Sequence, residues 1–212
     1  MAVRWCAAHR WLPPGLPLLL LLLATTLSSA QAGERPALFG SREVRSSDLE
    51  PFPKWLGIIR KCGDAGLLAS LLPNDLRTIL APHRDDSLAE RMRLVNESVN
   101  RQQYRSDASN WGRRDYWSTP EEFMRQGGNC EDYAVAKYVA LRFLKVPAAD
   151  LRIVVVEDLQ HDSMHAIVAV YDDTRIWILD NQLPAVRASS TIASYRPVYS
   201  INEEHWWVHK AP

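Results

Sequence analysis

The sequence predicts an α+β domain, with helices first and an antiparallel sheet afterwards. Apolar residues recur at helical spacing up to Pro147, and beyond it the period changes to extended, β-branched runs joined by short polar turns. The chain of 212 residues is 47% hydrophobic and 24% charged, as ordinary globular proteins are. Lys+Arg and Asp+Glu number 25 each, so no basic surplus points to nucleic acid and no acidic surplus to a solvating tail. A protein or peptide partner is expected.

The N-terminus reads as an export signal. Arg4 and Arg10 precede an apolar run from Leu16 to Leu27, and Ser28 to Ala32 place small residues where a signal peptidase cuts. About a dozen apolar residues are too few to span roughly 30 Å of hydrocarbon as a helix, so a membrane anchor is disfavoured. Residues 1–32 are expected to be removed, leaving a periplasmic or extracellular chain with no stable membrane insertion. Cys6 leaves with them. Cys62 and Cys130 remain, and they admit either one disulfide or two thiols with separate roles.

Residues 33–51, with Pro36, Gly40, Ser46, Ser47 and Pro51, read as an exposed leader without a core of its own. The domain is expected over 52–212, helical to about 146 and sheet from about 147. Trp55, Ile58, Ile59 and then Leu67, Leu68, Leu71 and Leu72 suggest two short helices broken at Gly63 to Gly66. Leu88 to Tyr104 is another amphipathic helix. Thr119-Pro120-Glu121-Glu122 combines an N-cap threonine, a proline at the first helical position and a capping-box glutamate, so a helix runs to about Gln126. Gly127-Gly128 can end it in a left-handed turn. A longer helix then runs from Asn129 or Cys130 to about Leu144, with Ala134, Tyr138 and Leu141 inward. Strands follow at Leu151 to Glu157, His165 to Tyr171, Arg175 to Asp180, Arg196 to Ile201 and Trp206 to His209.

Cys130 therefore opens a helix, where free N–H groups and the positive end of the macrodipole favour a thiolate and can bind an oxyanion. Glu131 and Asp132 cap that helix but oppose a thiolate beside them. If Asp172-Asp173 is a two-residue turn, Tyr171 pairs with Thr174 and His165 lies opposite Asp180, with Cβ atoms roughly 4.5–5.5 Å apart. Nucleophile, base and orienting carboxylate then occur in the order Cys130, His165, Asp180. Each has a plainer reading: disulfide partner, surface histidine, turn aspartate. A zinc site at His161 and His165 is disfavoured, because that spacing joins ligands on a helix whereas this segment reads as loop and strand. Asn110, Trp111 and Trp117 are weak candidates for a second oxyanion donor, since the tryptophans read more simply as core aromatics.

Gly127-Gly128-Asn129-Cys130-Glu131-Asp132-Tyr133-Ala134-Val135-Ala136-Lys137-Tyr138 resembles the active-site helix of bacterial transglutaminase-like cysteine proteinases. Asp115 to Phe123, the His165-x-x-Val168-x-x-Tyr171 strand, Leu179-Asp180-Asn181 and Pro197 to Glu203 support the likeness, which covers roughly Phe52 to His209. The resemblance implies a transglutaminase/papain-like fold with Cys130, His165 and Asp180 as the triad. It also implies a calcium ion near Asn129, Glu131 and Asp132, with Asn129 standing where the family carries an aspartate. Members of this family clip a large surface adhesin near a paired-alanine site to release cells from a biofilm. An inner-membrane cyclic di-GMP receptor sequesters such proteases, so both partners are implied here. A transglutaminase, with an amine as acceptor, and a non-catalytic binding module are the alternatives.

Overall fold

The computed structural model describes residues 35–61 and 68–211. The export signal and Cys62 lie outside the described residues. Helices α1 (Pro53–Arg60), α2 (Asn74–Leu80), α3 (Leu88–Asn100), α4 (Asp107–Trp111), α5 (Pro120–Gln126) and α6 (Cys130–Phe143) come before most of the sheet. The strands are β1 (Arg42–Ser46), β2 (Leu151–Asp158), β3 (Ser163–Tyr171), β4 (Ile176–Leu179), β5 (Arg187–Ala188), β6 (Tyr195–Ile201) and β7 (Trp206–Lys210). They form one antiparallel sheet in the order β1-β7-β6-β2-β3-β4-β5. The α+β reading therefore stands. No helix among the described residues is long and apolar enough to cross a membrane.

Three elements correct the sequence reading. The second short helix is a 3-10 turn over Leu68–Leu71, and a further helix, α2, follows from Asn74 after Pro73, since proline tolerates the position ahead of a helix and not its interior. The α3 helix stops at Asn100, four residues short of Tyr104. Residues 33–51 are not a coreless leader: Leu38 is fully buried and β1 pairs with β7 along Arg42 to Ser46. An edge strand is held by main-chain bonds to one neighbour, so its own side chains, mostly exposed here, carry little apolar signal.

The core lies on both faces of the sheet. One face, with Ile153, Val155, Ala166, Val168 and Val170, meets α6, α3 and the other helices. The opposite face, with Val154, Val156, Ile167, Ala169 and Ile178, is covered by Leu38 and Tyr195. This is why Ile153 to Val156 reads as one uninterrupted apolar run. Central to the fold is α6, buried from Cys130 through Leu141, which leaves it no polar stripe.

Candidate active site

Local chemistry sets the start of α6. The Thr119 hydroxyl accepts from Glu122 N (3.3 Å) while Thr119 N donates to Glu122 Oε2 (2.8 Å), closing the expected capping box on α5. Gly127 then takes a positive φ of 76°, and a Cβ there would collide with Gln103 O. At Gly128 the constraint is space, since a Cβ would collide with the Asp132 carboxylate. The two glycines thus let the chain turn tightly enough for Cys130 to become the first residue of α6.

Cys130 is 1% exposed, and its thiol donates to Glu131 Oε2 at 3.1 Å. Asp132 is fully buried and works inside the protein. Its Oδ1 accepts from Ser118 N (2.7 Å) and Ser118 Oγ (2.8 Å), and its Oδ2 accepts from Asn129 N (3.0 Å). Burial pushes this carboxyl up to about 7, against the pull of those donors. Asn129 is buried, and its Oδ1 has no hydrogen-bond partner.

On the sheet, His165 Nε2 donates to Asp180 Oδ1 at 2.8 Å, and both residues are 1% exposed. The expected register is corrected by two residues: Val168 pairs with Leu179 and Tyr171 with Ile176. Asp172 is the cause. Its Oδ1 collects Thr174 N (2.9 Å) and Arg175 N (2.6 Å), and Asp172 N donates to Arg175 O (3.0 Å), so four residues rather than two make the turn. A slip of two keeps every side chain on its face, whereas a slip of one would have separated the pair. Asp180 consequently sits diagonal to His165 and still reaches it.

Asp180 also accepts from Gln182 N (2.8 Å) and from the Tyr195 hydroxyl (2.6 Å), and Asn100 Nδ2 ties its main-chain oxygen to α3 (2.9 Å). Burial would raise the Asp180 carboxyl, but the His165 charge and these donors outweigh it and hold the group at about 2. Tyr195 and Tyr199 relate the cysteine to the pair. The Tyr195 hydroxyl is pushed up by burial first, then by Asp180, and in smaller part by Cys130; Tyr199 is raised by burial, then Glu131, Asp115 and Cys130. Cys130 and Asp180 thus act on one tyrosine, across the junction of α6 and the sheet.

Among the weaker candidates, Asn110 Nδ2 donates to Gly127 O (3.0 Å) and Trp111 packs at a tilt against Tyr116. Trp117 is a core aromatic whose Nε1 has no hydrogen-bond partner. His161 pairs with Asp158 (2.6 Å). Sequence reasoning passed over Gln182, Tyr195 and Lys137, which become visible only once the strands and α6 are packed.

A cysteine opening a central helix, beside a sheet that carries a bonded histidine–aspartate pair, is the constellation of an α+β thiol enzyme. The chain belongs to the bacterial transglutaminase-like cysteine proteinases, whose family model matches residues 76–211. Its fold matches the LapG of Legionella pneumophila at 28% identity and a TM-score of 0.57, covering 66% of this chain and 83% of that one. The calcium-bound form of that LapG gives the same values. Its EGTA-treated form, also 28% identical, gives a TM-score of 0.58 over 68% of this chain and 83% of that one. No curated protein matches the chain.

Proposed function

We propose that the protein is an exported cysteine endopeptidase that uses Cys130, His165 and Asp180 to cut a large cell-surface adhesin, near a paired-alanine site, in the periplasm. The observation that carries this reading is the buried His165–Asp180 bond at 2.8 Å on a sheet packed against the helix that Cys130 opens. Asp180 only accepts, so the ring proton stays on Nε2 and Nδ1 is the basic nitrogen. Nδ1 takes the thiol proton as Cys130 Sγ attacks the peptide carbonyl, then returns it to the departing amine. Water deprotonated by the same nitrogen hydrolyses the thioester. Asp180, ionised above about pH 2, holds the imidazole and supports its cationic form.

Calcium suits part of this site. Asn129 Oδ1 is a buried oxygen with no hydrogen-bond partner, and Glu131 adds a carboxylate. Asp132 already takes three hydrogen bonds of the roughly four that a carboxylate accepts, so it has little to give. Among the described residues no three acidic, histidine or cysteine side chains gather as a metal-binding group, so water and main-chain oxygens would fill the other places. When bound, calcium neutralises carboxylate charge beside Cys130 and favours its thiolate. An inner-membrane cyclic di-GMP receptor that sequesters the enzyme belongs to the same proposal.

The test is to incubate the protein with an adhesin fragment that carries paired alanines and to map the new N-termini. Cys130→Ala is expected to lose all cleavage with its circular dichroism unchanged, and excess chelator to slow the wild type. Cleavage by Cys130→Ala at the wild-type rate would sink the reading, and amine incorporation without hydrolysis would make the protein a transferase.

A further inference from the structure

The chain beyond β4 brings a third residue to the pair. β4 ends at Leu179, and the chain bends beyond it so that Gln182, three residues on, reaches His165. Gln182 touches both. Its main-chain N–H donates to Asp180 Oδ1, the same oxygen that accepts from His165 Nε2, and its side-chain Nε2 lies 3.2 Å from His165 Nδ1. Because the ring proton sits on Nε2, Nδ1 presents a lone pair, and the Gln182 amide donates to it.

We propose that Gln182 is a positioning residue of the peptidase. It grips the imidazole at Nδ1 while its main chain grips Asp180, so in the resting enzyme the ring is held at both nitrogens in its neutral tautomer, and the amide turns away from Nδ1 before that nitrogen takes the thiol proton. The inference rests on the triad reading above. A donor bonded to the neutral ring favours that form over the imidazolium. An amide is also two-faced: turned over, its Oε1 accepts from Nδ1–H once the proton has arrived. Leucine fills similar space and does neither.

Asp180 and Tyr195, its ring centroid 5.9 Å away, are further neighbours of His165; Cys130 and Asp158 act on Tyr195, and Lys137 lies in the field of Asp180. Replacing the Gln182 side chain alters none of these and leaves its main-chain N–H in place. A substitution there reads the amide contact alone.

The experiment follows the His165 ring by NMR across pH in the purified chain. Gln182→Leu should move its titration upward by about half to one pH unit, the size of one ordinary hydrogen bond. Gln182→Glu, which accepts from Nδ1–H, should move it further in the same direction, and it serves as the second variant if Gln182→Leu fails to fold. A His165 titration that stays in place in the folded variants would overturn the role. The triad reading fails separately, if Cys130→Ala or His165→Ala cleaves the adhesin fragment at the wild-type rate.

Discussion

At the scale of single residues, Asp180 brings three partners to one point. Its carboxylate accepts from His165, Gln182 and Tyr195, and its burial means that each bond forms in a medium where an unpaired charge is costly. Asp180→Asn keeps the shape but lets an amide NH2 face Nε2, which admits the wrong tautomer. The expected loss in kcat/KM is about 10²- to 10⁴-fold with the fold retained, and peptide hydrolysis across a dilution series measures it. Asp180 also ties stability to acid. Its folded value near 2 lies below the ordinary 3.8, so its contribution is complete above about pH 4 and fades as pH falls toward 2. Urea titrations of wild type and Asp180→Asn should converge over that range, and parallel curves would refute the account.

At the scale of elements, α6 is the exception to amphipathic design, and Lys137 is the exception within α6. The side chain is fully buried, its Nζ has no hydrogen-bond partner, and it lies 5.9 Å from the Tyr133 ring centroid. Burial depresses the ammonium to about 7, while the Asp180 charge partly restores it. The folded protein thus holds this proton more weakly than the unfolded chain does. The cost is fully present below about pH 7 and disappears as pH rises through the unfolded value of 10.5. Lys137→Met, of similar length, should therefore stabilise the fold by about 1–4 kcal/mol at pH 6 and by less at pH 9. Thermal melts at the two pH values decide it, and a lower Tm at both would contradict the argument. The contrast with α5 is instructive. Thr119, Pro120 and Glu122 announce that helix locally, whereas the burial of Lys137 follows from what packs around α6 and has no local sign.

For the whole molecule, His209 ties one end of the sheet together. It lies on β7, and its two ring nitrogens pair with Ser41 Oγ (2.8 Å) just before β1 and Ser200 Oγ (2.9 Å) on β6. Burial, with Arg152 nearby, lowers the imidazole to about 4. Since the unfolded chain binds this proton from about pH 6.5 downward and the folded one does not, stability falls as pH drops from 6.5 to 4, by about 3 kcal/mol at most. Denaturant midpoints measured over that range should decline in the wild type, and His209→Gln should flatten the decline. An equal slope in both would place the acid sensitivity elsewhere.

By itself the sequence determined that helices precede most of the sheet, the capping box of α5, the start of α6 at Cys130 and the face shared by His165 and Asp180. All of these are set by contacts within a few residues or by the two-residue period of a strand. Tertiary structure alone decided the rest. The Asp172 carboxylate chose a four-residue turn and slid the register by two, and Gln182, beyond the end of β4, came to lie 3.2 Å from His165 Nδ1. Main-chain pairing turned residues 42–46 into an edge strand, and packing on every side buried Lys137. Long-range pairing and burial depend on which surfaces meet in space, and no local pattern of side chains encodes that meeting.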